Sequence, residues 1–179
     1  MKYVRRFVWY TATRLLALCC ILGLMTLAFY YSMNASNIYI LLKDGMARRA
    51  QVVMMGTSET ELTNYFASNY LERDDALIAA RNGQSSYQNF YDVAGFDHRL
   101  NMTWMWCWPW EDTARATIEE RIPAIDGKLK SSAREQATAL GLTSTPPKWQ
   151  SARYQVILAR ENGHWRIRNL ILTQMIAEE

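Results

Sequence analysis

The sequence has few of the residues that build covalent or metal-bound frameworks. Its 179 residues include three cysteines and two histidines. Cys19 and Cys20 fall inside an apolar run and Cys107 stands alone, so neither a disulfide framework nor a zinc-ligand spacing is present. A Ser-His-Asp ordering, a glycine-rich phosphate loop and a Walker pattern are also missing from the sequence. We therefore predict no metal and no cofactor, and the common classes of enzyme are disfavoured.

Acidic residues are missing from the N-terminal part of the chain. Four basic residues, Lys2, Arg5, Arg6 and Arg14, precede the apolar run, whereas the rest of the sequence has 16 Lys and Arg against 17 Asp and Glu. The formal charge of +3 therefore comes from the N-terminus. Because nucleic-acid binding needs a basic face to offset phosphate charge, the near-neutral remainder argues against nucleic acid as a partner.

A long uncharged segment follows these basic residues. The 28 residues between Arg14 and Lys43 carry no charge, and Leu15–Tyr31 is apolar and long enough to cross the ~30 Å hydrocarbon layer as a helix. We predict a short basic tail at 1–14 and one transmembrane helix at 15–33, with the lipid bilayer as a partner. A cleavable signal peptide is the alternative, but a small-residue cleavage site does not follow Tyr31.

The residues flanking this segment predict its orientation. Basic residues concentrate on the cytoplasmic side of a membrane span, which favours a cytoplasmic N-terminus and an extracytoplasmic C-terminal domain of a cell-membrane protein. Tryptophan and tyrosine gather at the two membrane interfaces. The predicted flanking residues are Arg5, Arg6, Trp9, Tyr10, Arg14, Tyr30 and Tyr31.

Helical patterns continue after the apolar run. Residues 34–57 approximate an amphipathic stripe and predict a stalk or linker helix. Ser58 to Glu61 has the spacing of a capping box and predicts the start of a further helix. The residues predicted on its inner face are Leu62, Tyr65, Phe66, Asn69 and Tyr70. Asn82-Gly83 is expected to end this helical section.

The second half of the sequence has the alternation of antiparallel strands. We predict strands at 86–93, 96–108 and 113–122, and a terminal hairpin of 152–160 and 164–173 around Asn162-Gly163. Residues 123–149 interrupt the sheet as an insertion, with a turn at Asp126-Gly127 and a short helix after Ser132. Helices followed by antiparallel strands predict an α+β domain over 58–179.

Four tryptophans recur with period two in the stretch LNMTWMWCWPWED, residues 100–112, so they leave one face of a strand. The interpretation favoured by their size is that they fill a core against helix Leu62–Leu77. The other interpretations are a ligand-binding cone lined by indoles and a contact surface for a protein or membrane partner. The candidate contact residues are Trp104, Trp106, Trp108 and Trp110.

One carboxylate falls on an apolar strand face. The alternation of 113–122 directs Glu120 inwards, where burial would suit a general base. Pairing with Arg99 or Arg121 is the more ordinary expectation, so Glu120 is only a weak catalytic candidate. Asp97 and His98 are adjacent on a strand and project to opposite faces, which excludes a dyad between them.

The order of elements and the ending GHWRIRNL, Gly163–Leu170, resemble the nuclear-transport-factor-two-like (cystatin-like) superfamily. With an N-terminal anchor, the chain is similar to single-pass scaffold subunits of bacterial type IV secretion machines and to channel subunits of endospore-forming bacteria. The resemblance implies a curved sheet that wraps a helix. It also implies a non-enzymatic scaffold of a bacterial envelope complex, of secretion or sporulation type, with protein partners or self-association. The alternative is a small-ligand-binding domain or an enzyme that uses a Trp-lined cone with Glu120.

Overall fold

The computed structural model describes residues 2–177, and one helix, α1 (Lys2–Met55), makes up almost a third of them. At 1.5 Å per residue its 54 residues extend about 80 Å. Gly56, with a φ of +66°, ends it and donates its N–H to the carbonyl of Val52 at 3.1 Å. The predicted tail at 1–14, span at 15–33 and stalk at 34–57 are therefore parts of a single helix.

The two halves of α1 have different surroundings. Residues 3–26 are exposed along their whole length, and α1 includes an apolar stretch long enough to cross a membrane. In the second half, Ile38, Leu42, Met46 and Ala50 are fully buried. Their spacing of four residues places them on one face of α1. Ile38, Leu42 and Met46 pack in one core cluster with strand residues such as Ile118 and Val156, and Ala50 packs in a second cluster with Tyr91 and Val93. The segment predicted as a stalk is thus the central core helix of the domain.

Four short helices follow α1 along the chain. A 3₁₀ helix (Glu59–Asn64) is followed by α2 (Ser68–Leu71), α3 (Asp75–Arg81) and α4 (Ser86–Phe90). The single helix expected from Ser58 is therefore divided. The predicted end at Asn82-Gly83 is confirmed, since Gly83 has a φ of +65°. Part of the first predicted strand, 86–93, is the helix α4.

The main sheet has four antiparallel strands in the order β2-β3-β5-β6. These are β2 (Arg99–Cys107), β3 (Thr113–Arg121), β5 (Ala152–Glu161) and β6 (His164–Met175). The hairpin of β5 and β6 turns at Asn162 and Gly163, both with positive φ, as the sequence predicts. A long helix followed by this sheet confirms the α+β class.

The segment predicted as an insertion contains a strand. β4 (Ile125–Leu129) pairs with β1 (Tyr91–Phe96) in a separate two-stranded sheet, and α5 (Arg134–Ala139) follows. Gly127, expected in a turn, lies inside β4. An added Cβ there would meet Pro146 Cγ at 2.8 Å and the Asp92 carbonyl oxygen at 3.1 Å. This glycine is therefore explained by close packing rather than by a turn.

Candidate interaction site

The four tryptophans of the row lie on the surface. Trp104 and Trp106 are each 50% exposed, Trp108 is 41% exposed and Trp110 is 72% exposed. The expectation that they fill the core is wrong. Neighbouring rings contact one another: the centroids of Trp106 and Trp108 are 5.8 Å apart and stacked, and those of Trp108 and Trp110 are 5.5 Å apart and tilted. Trp106, Trp108 and Trp110 thus form an exposed aromatic strip, with Trp104 on the same strand before it.

The other face of β2 explains why the indoles point outwards. Met105 and Cys107 alternate with the tryptophans and are buried in the same core cluster as Ile38 of α1. On the neighbouring strand, Met105 and Cys107 pair with the small residues Ala116 and Ala114. Because α1 occupies this inner face, the indoles take the outer one.

The outer sheet face around the row is mixed in character. Trp106 pairs with Arg115, which pairs with Ile157 of β5, and Trp104 pairs with Thr117 one step along. A bulge between Met102 and Trp104 shifts the alternation by one residue, so that Leu100 and Met102 face the core whereas Trp104 and Trp106 face outwards. Aromatic side chains next to arginine and small polar groups are typical of protein contact surfaces.

Polar contacts attach the C-terminal end of the apolar run of α1 to the domain. Tyr31 donates its hydroxyl to the Met105 carbonyl at 2.8 Å. Arg160 donates to Tyr30 Oη at 3.3 Å and to Asn34 Oδ1 at 3.1 Å, and the Trp165 indole N–H also donates to Asn34 Oδ1 at 3.1 Å. Two residues predicted only as membrane-interface aromatics therefore also hold the domain against the helix.

The remaining flanking residues lie at the opposite end of the apolar segment. Arg5, Arg6, Trp9, Tyr10 and Arg14 are all exposed on the first turns of α1. The Arg14 guanidinium lies over the Tyr10 ring, 4.6 Å from its centroid. The basic group is therefore carried by a rigid helix and not by a separate tail.

Glu120 is buried, as its strand position predicts, but its partners differ from those expected. Its Oε1 lies 3.1 Å from His98 Nε2, and its Oε2 accepts a hydrogen bond from the Trp149 indole at 3.5 Å. The expected pairing with Arg99 or Arg121 is wrong, because those arginines form ion pairs with Asp97 and Glu119. Glu120 and the exposed indoles lie on opposite faces of the sheet and do not line a common cavity.

A second polar cluster lies between α1 and the short helices α2 and α3, and it was not predicted from the sequence. Arg49 of α1 donates to both carboxylate oxygens of Asp74, at 2.5 and 3.0 Å, and the Tyr70 hydroxyl donates to the same carboxylate at 2.7 Å. Burial alone would raise the pKa of Asp74, but the hydrogen bonds and charge of Arg49 outweigh it and lower that pKa. Burial raises the pKa of Tyr70.

An open cavity of about 750 Å³ adjoins this cluster, between α3 and the sheet, with Arg49, Tyr70, Asp74 and Tyr154 in its wall. Burial raises the pKa of the Tyr154 hydroxyl, and the nearby Glu120 charge adds to the effect. The cluster carries one guanidinium and one carboxylate that are already paired. Its chemistry suits structural cohesion of α1 and α3, with room for a small molecule beside it.

Within residues 2–177, groups of three or more His, Cys, Asp or Glu with the geometry to hold a metal ion are not found. No protein-family model matches the sequence, and no curated protein shows significant sequence similarity to it.

Proposed function

We propose that this protein is a single-pass membrane protein whose C-terminal domain is a non-enzymatic interaction module. The length and apolar character of Leu15–Tyr31 within α1, together with the exposure of residues 3–26, support a membrane span. The basic residues at the N-terminal end favour a cytoplasmic N-terminus and an extracytoplasmic domain.

The observation that carries the interaction role is the outer face of the sheet. Trp104 and Trp106 are half exposed on this face. They belong to the edge strand β2, and Trp106 lies opposite Arg115 of β3. Tryptophan and arginine are the residues most enriched among those that dominate binding energy in protein interfaces. We therefore propose that this face binds a protein partner or a second copy of the chain.

The resemblance to cystatin-like domains suggests the kind of complex in which this module acts. A helix packed on one face of a four-stranded antiparallel sheet agrees with the element order on which that resemblance rests. By analogy with single-pass scaffold subunits of bacterial secretion machines, the proposed role is a scaffold of an envelope complex of secretion or sporulation type.

Site-specific photo-crosslinking in the native membrane tests the interaction role. Trp104→p-benzoylphenylalanine should give a discrete crosslinked species, because it replaces one exposed aromatic ring by another. Leu140→p-benzoylphenylalanine is the matched control, since Leu140 is 61% exposed but lies on α5's side of the domain. Equal crosslinking patterns from both positions, or none from Trp104, would contradict the proposal. Mass spectrometry of the product separates self-association from a different partner.

Thiol labelling tests the orientation. Cys107 is buried, so an introduced thiol is needed, and Ser132 is exposed. Ser132→Cys should react with a membrane-impermeant maleimide in intact cells, with the unsubstituted protein as control. Reaction only after lysis would reverse the proposed topology.

A second candidate function is small-ligand binding, which the cavity of about 750 Å³ beside Arg49 and Tyr154 favours. Ligand pockets are commonly of this size and combine apolar walls with a few polar groups. A fragment screen by saturation-transfer NMR on the full-length protein tests it. Binding that is lost in Tyr154→Ala but kept in Tyr87→Ala, a tyrosine outside the cavity, would support this candidate.

A further inference from the structure

The direction of β2 relative to α1 places one loop beside the apolar half of the helix. Leu100, near the start of β2, pairs with Glu120, and Ile122, two residues after Glu120, packs in a buried cluster with Ala50 and Met54 near the C-terminal end of α1. Met105, five residues later, accepts the hydroxyl of Tyr31. β2 therefore runs antiparallel to α1, and its end approaches the exposed apolar segment.

The loop after β2 lies beside the end of the apolar segment Leu15–Tyr31. Its Asp112 carbonyl accepts the N–H of Arg160 at 2.8 Å, and the Arg160 guanidinium donates to Tyr30 Oη at 3.3 Å. Tyr30 and Tyr31 are the last residues of that segment. The domain thus contacts the end of the segment proposed to span the membrane.

The loop has a defined shape and an apolar surface. Its backbone closes through a hydrogen bond from the Glu111 N–H to the Trp108 carbonyl at 3.1 Å, and the Asp112 carbonyl accepts the N–H of Arg160 at 2.8 Å. These bonds hold the two indoles of Trp108 and Trp110 together at the end of the domain, where Trp110 is the most exposed tryptophan of the row.

Indoles combine an apolar ring with one N–H donor, and they gather where hydrocarbon meets headgroups. We propose that Trp108 and Trp110 insert into the interfacial layer of the bilayer that α1 crosses, so that the domain rests on the membrane instead of standing away from it. This inference rests on the proposed membrane span. The occupant is the lipid interface because the loop adjoins the span itself, whereas Trp104 and Trp106 lie further from it and remain free for a protein partner.

Quenching of tryptophan fluorescence by brominated lipids tests the inference. The full-length protein is reconstituted in phosphatidylcholine vesicles, because Glu111 and Asp112 beside the indoles do not favour anionic headgroups. Trp9→Phe is used as the common background, since Trp9 lies at the far end of the apolar segment. Trp108→Phe/Trp110→Phe should lose most of the quenching, and Trp104→Phe/Trp106→Phe should keep it. Bromine near the glycerol end of the acyl chains should quench more than bromine near the chain terminus.

The outcomes separate the inference from the span on which it rests. If the protein fails to float with the vesicles, or if carbonate extracts it from them, the proposed membrane span is wrong. If it floats but the two double variants lose equal quenching, or neither loses any, the loop does not insert. If the Trp108→Phe/Trp110→Phe variant is unstable, Trp110→Phe alone can be compared with Trp104→Phe/Trp106→Phe. Trp110 is 72% exposed, so this single substitution should not disturb the fold. Loss of quenching confined to Trp104 and Trp106 would instead assign the lipid contact to the outer sheet face.

Discussion

Replacing Asp74 tests the internal architecture most directly, because its carboxylate joins three elements. It accepts two hydrogen bonds from Arg49 of α1, one from Tyr70 of α2, and the backbone N–H groups of Ala76 and Leu77 in the first turn of α3. The Asp74 side chain is 2% exposed and that of Arg49 is 12% exposed. Asp74 is therefore both an ion-pair partner and the N-cap of α3.

The expected loss of stability depends on which groups each variant leaves without a partner. Removing one partner of a buried ion pair costs about 3–5 kcal/mol, because the other charge stays buried without compensation. Asp74→Asn keeps an oxygen that can cap α3 but loses the charge, so we expect a loss of about 3 kcal/mol in the free energy of unfolding. Asp74→Ala also removes the cap, which adds about 1 kcal/mol. A loss of 3 kcal/mol corresponds to a fall in Tm of roughly 6–12 °C for a domain of this size.

The assay is urea unfolding of the full-length protein in detergent, followed by circular dichroism and tryptophan fluorescence. Asp75→Asn is the matched control, since Asp75 is the exposed neighbour of Asp74 and should change the free energy of unfolding by less than about 0.5 kcal/mol. If Asp74→Asn is as stable as this control, Arg49 finds another partner or water and the reasoning about the buried pair is wrong.

The same pair predicts a pH dependence. The pKa of Asp74 is lowered in the folded state, so the ionised carboxylate contributes stability above its unfolded pKa of about 3.9. That stability is lost as the pH falls through the lowered folded pKa. Below about pH 4 the stability of the unsubstituted protein should therefore fall more steeply than that of Asp74→Asn. Parallel pH profiles would show that Asp74 does not contribute in this way.

Three further predictions use the same unfolding or labelling measurements. Gly45→Ala should lose about 1–3 kcal/mol of stability, because a Cβ would lie 3.0 Å from Tyr65 Cβ, whereas Gly23→Ala, with nothing within 4 Å, should lose none. His98→Ala should destabilise by about 1–3 kcal/mol, since it removes the hydrogen-bond partner of buried Glu120; no change would mean that Trp149 and water suffice. Cys107 should react with a maleimide only after unfolding, because it is buried and burial raises the pKa of its thiol; rapid labelling of the folded protein would contradict this.

Strands with a clear alternation of apolar and polar residues could be predicted from the sequence. The predicted strand 113–122 is β3, and the hairpin around Asn162-Gly163 is present because both residues accept the positive φ of the turn. The inward position of Glu120 also followed from alternation. The two partners of Glu120 could not be predicted in this way. His98 and Trp149 lie outside β3 in the sequence, and only the tertiary fold brings them to Glu120.

The side of the sheet taken by the indoles could not be predicted, for a physical reason. In β2 both sets of alternating residues are apolar near the end of the strand, with tryptophans on one face and Met105 and Cys107 on the other. Strict period two also puts Leu100 and Met102 on the face of the tryptophans, and Leu100 is buried. The bulge between Met102 and Trp104 shifts the alternation by one residue, so the two sets of side chains exchange faces within the strand. This bulge, which the sequence pattern of β2 does not reveal, directs the indoles outwards and Met105 and Cys107 inwards.

The continuity of α1 links the core to the proposed membrane span. Tyr31, Asn34, Ile38 and Leu42 are spaced three or four residues apart, so the face that packs on the sheet extends without a break to the end of the apolar run. A hydrogen-bonded helix cannot rotate one half against the other without unwinding. Since each inserted residue would turn the helix by about 100°, the core packing fixes which side of the apolar segment faces the loop of Trp108 and Trp110. Burial of Ile38 and Leu42 in the core therefore sets which side of the proposed span faces the domain.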